Sequence, residues 1–287
     1  MLYDNSTPRY LPHIPHPEVL LMGLSPKGDA PWIEPDNDIG RYHEHKLQQR
    51  KIRGDAVYRG DDESIPAQRE LRAALTTHLL DAHADCYSRE ADSLNCRPGD
   101  FQIPLAGEEC LWDISLAVAD DLAIMEKRSS QYHLTAASLC SPSHWLLAEK
   151  VGLAMRDIHD PIPGFHEKLT PRIDRFFEHL RPNHPVVRFN WSVLAEDNLA
   201  QLPGEEATVT ADTPLFYRVE RQSLVRLPET GAIAFSIRVY VHPLDMLAST
   251  KGAIPSLLAA IDAASPEISI YKGFDLMQPA LARYRGR

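Results

Sequence analysis

The hydrophobic period of this chain changes once, near residue 185, and that change restricts the folds open to it. Before it, apolar residues recur at helical spacing. Leu71, Leu75, Leu79 and Leu80 share a face within 66–85, and Ile173, Phe176, Phe177 and Leu180 follow a Thr170-Pro171 cap at i, i+3, i+4 and i+7. After it the period is two. Apolar and polar side chains alternate through Val187-Arg188-Phe189-Asn190-Trp191-Ser192-Val193. Strands over 215–227 and 232–241 flank a Pro228-Glu229-Thr230-Gly231 turn and predict a hairpin. Helices followed by an antiparallel meander define an α+β protein.

The remaining segments fill in this outline. Residues 1–40 hold prolines 8, 12, 15, 17, 26, 31 and 35 together with the apolar Val19-Leu20-Leu21-Met22 and Trp32-Ile33, which predicts an arm packed across the fold. A charged helix is expected at 41–53 and irregular chain at 86–106. Leu111, Ile114, Val118, Leu122 and Met125 predict a helix over 111–127, and a short strand follows at 132–139. Ser141-Pro142 reads as a cap for a helix over 142–159 that carries Leu147, Val151, Met155 and Ile158 on one stripe and stops at Pro161 and Pro163. A last helix lies near 253–264. One domain over 1–287 results: a Pro-rich arm (1–40), a mostly helical part (41–180), an antiparallel meander (186–241) and a C-terminal helix and tail (242–287).

Composition excludes several functions. With 287 residues and 44% apolar content the chain can bury a large core, and its net charge of −10 argues against a nucleic-acid-binding face or a polybasic membrane patch. Met1 to Tyr10 lacks the apolar stretch of a secretory signal, and no run reaches the roughly 18 apolar residues of a spanning helix. Cys86, Cys96, Cys110 and Cys140 are too scattered for a zinc or iron–sulfur motif and read as buried thiols of a cytoplasmic protein. No dinucleotide fingerprint, Walker loop, GxSxG or HExxH is present, so a redox enzyme on this chain takes its electrons from elsewhere.

His159 ends the 142–159 helix. Met155, Gly152 and Ala148 lie 4, 7 and 11 residues before it, and two of them are small, so a flat surface would lie beside the imidazole. Spacing leaves two readings open: a helix C-cap, or an axial ligand with a planar macrocycle against that surface. Arg188, Asn190 and Ser192 form one polar row, and Glu220, Gln222 and Arg226 another. These rows are either the solvent side of a sheet or the polar wall of a pocket. His144 is a second candidate ligand. His43 and His45 fall on different sides of their helix and read as solvent-facing, as does the Asp120-Asp121 pair.

A set of ordered motifs resembles the haem-dependent oxidative N-demethylase family. They are Met22-Gly23-Leu24 with Trp32-Ile33-Glu34; Asp120-Asp121-Leu122, where the family pattern reads Glu-Asp; Pro142-Ser143-His144-Trp145 with Glu149-Lys150-Val151-Gly152; Ile158-His159-Asp160-Pro161-Ile162-Pro163; Arg188-Phe189-Asn190-Trp191; Arg218 to Pro228; and Tyr271-Lys272-Gly273. The resemblance implies a PAS-like antiparallel sheet with flanking helices, haem b, a small amine such as dimethylamine as substrate, and O2 as oxidant. It also implies a separate NADPH-dependent flavin and iron–sulfur reductase, with a homo- or hetero-oligomeric assembly left open. On it, His159 is the iron ligand, with Gly152, Ala148 and Met155 beside the haem and Arg226 on a propionate. Arg188, Asn190, Glu220 and Gln222 line the substrate side. A haem or gas sensor and a haem-free binding protein are the competing expectations.

Overall fold

The computed structural model describes residues 2–20, 23–26, 28, 31–159, 170–182, 184–205 and 207–285, with backbone alone for 170–174. Leu21, Met22 and the Asp160 to Pro163 part of the histidine motif lie outside the described residues. The chain is a mixed α+β fold, an antiparallel sheet flanked by helices. Its strands run β1 (Ser25–Pro26), β2 (Tyr58–Gly60), β3 (Tyr87–Glu90), β4 (Ser93–Cys96), β5 (Phe101–Pro104), β6 (Asp121–Arg128), β7 (Gln131–Ser138), β8 (Val186–Leu194), β9 (Phe216–Arg226) and β10 (Ile233–Pro243). The helices are α1 (Ile39–Arg53), α2 (Ile65–Ala82), α3 (Cys110–Ser115), α4 (Met155–Ile158), α5 (Thr170–His179), α6 (Ala253–Asp262), α7 (Pro266–Tyr271) and α8 (Phe274–Leu281). The main sheet has the order β1-β8-β9-β10-β6-β7-β2, and β3, β4 and β5 form a small separate sheet.

The alternating strands behave as their pattern requires. On one face Trp191, Tyr217, Val219 and Tyr240 pack with Leu257, Phe274 and Leu281 of the C-terminal helices, and Leu122, Ile124, Ala136 and Ala234 pack with Leu71, Leu75 and Leu79 of α2. On the other face Ala123, Met125, Leu134, Ala137 and Leu224 meet Leu147, Met155, Ile158 and Phe177. The β9–β10 hairpin closes over residues 228–231, where the Glu70 carboxylate accepts from Glu229 N at 2.7 Å and Thr230 N at 2.8 Å.

The N-terminal arm is tied down by charge. Glu34 is buried against Arg221 at 3.3 Å and accepts from Tyr10 and Tyr240 hydroxyls at 2.7 and 2.9 Å. Asp36 pairs with the fully buried Arg238. His13 is equally enclosed. The Ala253 carbonyl only accepts, so Nε2 carries the proton toward it (3.0 Å), and Nδ1 accepts from the Tyr217 hydroxyl (2.6 Å).

Three sequence expectations are corrected. The helix over 111–127 stops at Ser115, and 121–128 is strand β6. Asp121 to Met125 are all buried, so this strand is covered on both faces, and a continuous apolar run carries no period to separate strand from helix. The helix over 142–159 is absent. A 3-10 turn at Leu147–Glu149 and the single-turn α4 replace it, with Gly152 at φ +87° between them. Pairing with β7 outweighs local propensity here: Gly152 N donates to Leu134 O at 2.7 Å, and Leu134 N donates to Leu153 O at 3.0 Å. Ser141 caps no helix; its amide and that of Cys140 donate to the Asp121 carboxylate at 2.7 and 3.0 Å. Finally, 86–106 holds strands β3 to β5, so 41–180 is not mostly helical.

Candidate functional site

Register brings the two polar rows together. Across β8 and β9, Arg188 faces Gln222, Asn190 faces Glu220 and Ser192 faces Arg218. Because side chains alternate along a strand, these six project from one face of the sheet. Arg218, Glu220 and Gln222 are buried, so the row is not a solvated sheet face. Beyond it, Val241, Val239, Ile237 and Phe235 of β10 continue the same face as an apolar wall opposite Arg218, Glu220, Gln222 and Leu224.

Glu220 is the centre of the cluster. Its Oε2 accepts from Gln222 Nε2 at 2.9 Å and Asn190 Nδ2 at 3.2 Å, and its Oε1 accepts from Arg218 at 3.4 Å. Burial pushes this carboxyl up, but Arg218, Asn190, Lys272 and Gln222 outweigh burial and hold it below its usual value. Lys272 donates to Asn190 Oδ1 at 2.8 Å and to Trp191 O at 3.0 Å. Burial pushes its ammonium down to about 8 against the pull of Glu220. Arg188 is likewise lowered by burial, with Glu220 opposing, and Tyr271 is raised by burial and by Glu220.

His159 follows α4. Its Nδ1 lies 2.9 Å from Met155 O, and a carbonyl only accepts, so Nδ1 carries the proton and Nε2 the lone pair. Burial pushes the imidazole down to about 4, assisted by the nearby Arg188 and Lys150 and opposed by the Met155 carbonyl. The ring is neutral at physiological pH.

The other expected residues fall elsewhere. Without a 142–159 helix, Ala148 and Gly152 share no face with His159, and both are exposed. Met155 is partly buried against the apolar cluster that holds Phe177 of α5, and its carbonyl meets the imidazole. Arg226 points along the same face as Gln222 but is drawn to Leu180 O (2.6 Å), Gly231 O (2.6 Å), Tyr132 Oη (3.0 Å) and Phe177 O, pinning the end of α5 to the hairpin. His144 is exposed, at φ +56°, with its amide on Gln201 O. His43 and His45 are half-buried, not solvent-facing: His43 stacks on Phe101 at 3.9 Å, and His45 Nε2 donates to Cys140 O at 2.9 Å. Asp120 and Asp121 are both 1% exposed, against the expected solvated face. All four cysteines are free and buried.

Sequence reasoning missed Lys272 and Arg218 as members of the cluster. Arg218 has the parity of Glu220 and Gln222, which was the available signal. Lys272 sits at the turn between α7 and α8, where only the Tyr271-Lys272-Gly273 motif marks it.

Fold and cluster define a sheet protein with an enclosed ionic face, a neutral histidine beside it and an apolar wall continuing it. Residues 23–282 match the family model described as haem-dependent oxidative N-demethylase, alpha subunit-like, and the chain belongs to that family. Membership implies a haem-dependent oxidoreductase. Among the described residues no helix is long and apolar enough to cross a membrane, and no three His, Cys, Asp or Glu side chains gather around a metal position.

Proposed function

We propose that this chain is the haem-bearing subunit of an oxidative N-demethylase that acts on a small secondary or tertiary amine resembling dimethylamine. It would use O2 and electrons from a separate NADPH-dependent flavin and iron–sulfur reductase. The observation that carries the reading is the state of His159: neutral, with Nδ1 committed to Met155 O and the lone pair on Nε2. His159 would hold the haem iron through Nε2, with its ring oriented by the bond from Nδ1 to the Met155 carbonyl. The half-buried Phe235, Ile237 and Val241 of β10 would supply apolar contact for the macrocycle, in place of the Ala148 and Gly152 face expected from spacing. Bound haem supplies the activation of O2 and the oxidation of an N-methyl carbon.

The chain's own residues bind and orient. Glu220 stays ionised and holds the Asn190 and Gln222 amides in place. Arg188 and Lys272 supply positive charge beside them, and the β10 wall excludes water. Arg226, engaged by three carbonyls and a hydroxyl, serves the fold and not a propionate. The order β7-β6-β10-β9-β8 puts the first and last of these five strands side by side at the centre, with the helical segment between the second and third. That order supports a PAS-like fold for a single domain over 1–287.

The test is a spectrum of the haem-reconstituted chain, oxidised, then reduced with dithionite and exposed to CO, followed by amine-dependent NADPH consumption and formaldehyde release with a compatible reductase. A Soret band together with amine-dependent turnover is expected. Haem uptake without amine-dependent turnover would favour a sensor, and a colourless chain that refuses haem would overturn the reading.

A further inference from the structure

Tyr217 of β9 and His13 of the arm form a buried acid–base pair on the sheet face opposite the ionic cluster. Both side chains are fully enclosed. The Tyr217 hydroxyl lies 2.6 Å from Nδ1, and Nε2 lies 3.0 Å from the Ala253 carbonyl. That carbonyl only accepts, so Nε2 carries the imidazole proton and the hydroxyl points its own proton at the Nδ1 lone pair. Burial pushes the phenol up and the imidazole down, so neither is charged at neutral pH. Trp191 of β8 completes the group, its ring centroid 5.9 Å from His13 and 6.3 Å from Tyr217. Trp191 follows Asn190 in the chain, and its carbonyl accepts from Lys272 at 3.0 Å, so the backbone of β8 joins this group to the ionic cluster across the sheet.

We infer that Tyr217 is a redox-active tyrosine, a site of one-electron oxidation with His13 as its proton acceptor. One electron leaves the phenol ring for the oxidant by way of Trp191. The Tyr217 O–H bond breaks, and its proton crosses to Nδ1 within the existing hydrogen bond. The products are a neutral phenoxyl and an imidazolium. A buried charge is costly unless its hydrogen-bonding groups are met, and here both are: Nδ1–H donates to the phenoxyl oxygen and Nε2–H to Ala253 O. Return of one electron sends the proton back to the oxygen. Other buried tyrosines lack such a base. Tyr42 donates to Val239 O and Tyr87 to Ala117 O, carbonyls that do not take up a proton. Tyr10 and Tyr240 face Glu34, whose protonation would strip the buried Arg221 of its counter-charge. On the demethylase reading, on which this role rests, the oxidant is the haem when O2 has been activated and no amine is present to be oxidised.

The test uses the full chain without haem, labelled with 15N-histidine and illuminated with a ruthenium tris-bipyridine photo-oxidant and persulfate. The sample is then frozen and read by electron paramagnetic resonance. The native chain is expected to give a tyrosyl radical that carries a histidine nitrogen coupling, transmitted across the hydrogen bond. Tyr217→Phe is expected to lose that coupled radical. His13→Gln, which keeps a hydrogen-bond acceptor but no base, is expected to lose it as well, an outcome that a merely structural bond would not produce. A native radical without histidine coupling, or a coupled radical that survives Tyr217→Phe, would overturn the assignment. The coupling in the native chain needs no variant, so the assignment stays testable where a substitution unfolds the protein. Haem uptake is followed separately by the Soret band. A chain that takes up haem but gives no coupled radical loses this inference and keeps the demethylase reading; a chain that refuses haem loses that reading while the radical is still measured.

Discussion

Asn190 on β8 and Glu220 on β9 stand directly opposite one another and are joined by a hydrogen bond of 3.2 Å, with Lys272 closing on the other end of the same amide at 2.8 Å. One neutral side chain thus separates a buried carboxylate from a half-buried ammonium and bonds both. Asn190→Leu removes an acceptor from Lys272 and a donor from Glu220 together. A loss of about 1–3 kcal/mol is expected in urea unfolding; a change within experimental error would mean that the amide bridges nothing of consequence.

Glu34 gives a larger effect. It is the buried partner of Arg221, and it also meets Arg9 at 3.4 Å and two tyrosine hydroxyls. Glu34→Leu leaves Arg221 buried without its counter-charge, which costs about 3–5 kcal/mol. Hydrogen exchange should rise in the arm and in β9 more than in the β3–β5 sheet. Uniform exchange across all three would contradict the view that this pair locks the arm.

Asp120 yields a pH dependence. Its carboxylate oxygens are buried without hydrogen-bond partners among the described residues, and burial pushes its pKa from 3.8 up to about 6, against the pull of Arg238, Arg221 and Lys46. Between those two values the folded chain holds a proton that the unfolded chain has released, so this group adds stability as pH falls through the window and costs stability above about 6. Asp120→Asn is expected to be more stable than the native chain at pH 7–8, by at most about 3 kcal/mol. The advantage should fade as pH falls from about 6 toward 4. A difference that stays constant over that range would contradict the prediction.

Gly152 tests the chain path that precedes His159. At φ +87°, with nothing within 4 Å of an added Cβ, Gly152→Ala meets backbone strain and no clash. A loss of about 1–2 kcal/mol is expected. An unchanged melting temperature would favour the continuous helix that spacing alone suggests.

Much of the sheet could be read in advance, and the reasons are specific. β8 alternates cleanly, and the turn residues between β9 and β10 announce a hairpin. β6 was hidden because its buried run has no period, and β3 to β5 because strands of four residues are too short to show one. The Asp121 carboxylate that holds Cys140 and Ser141 lies some twenty residues away, so the local Ser-Pro signal pointed to a helix that a long-range contact forbids. The polar rows were visible as rows; only the register of β8 on β9 could make them one cluster. Lys272 arrives from the turn between α7 and α8, beyond any spacing rule.

On the proposed function, His159 Nε2 ligates the haem iron. The most direct test is a haem titration of the native chain and of His159→Gly, followed by Soret absorbance, with and without added imidazole. The native chain is expected to saturate at one haem per chain with a histidine-ligated spectrum. The variant is expected to lose or shift that band and to recover it when imidazole fills the space the side chain has left. A variant spectrum identical to the native one without imidazole would contradict the assignment of His159 as ligand.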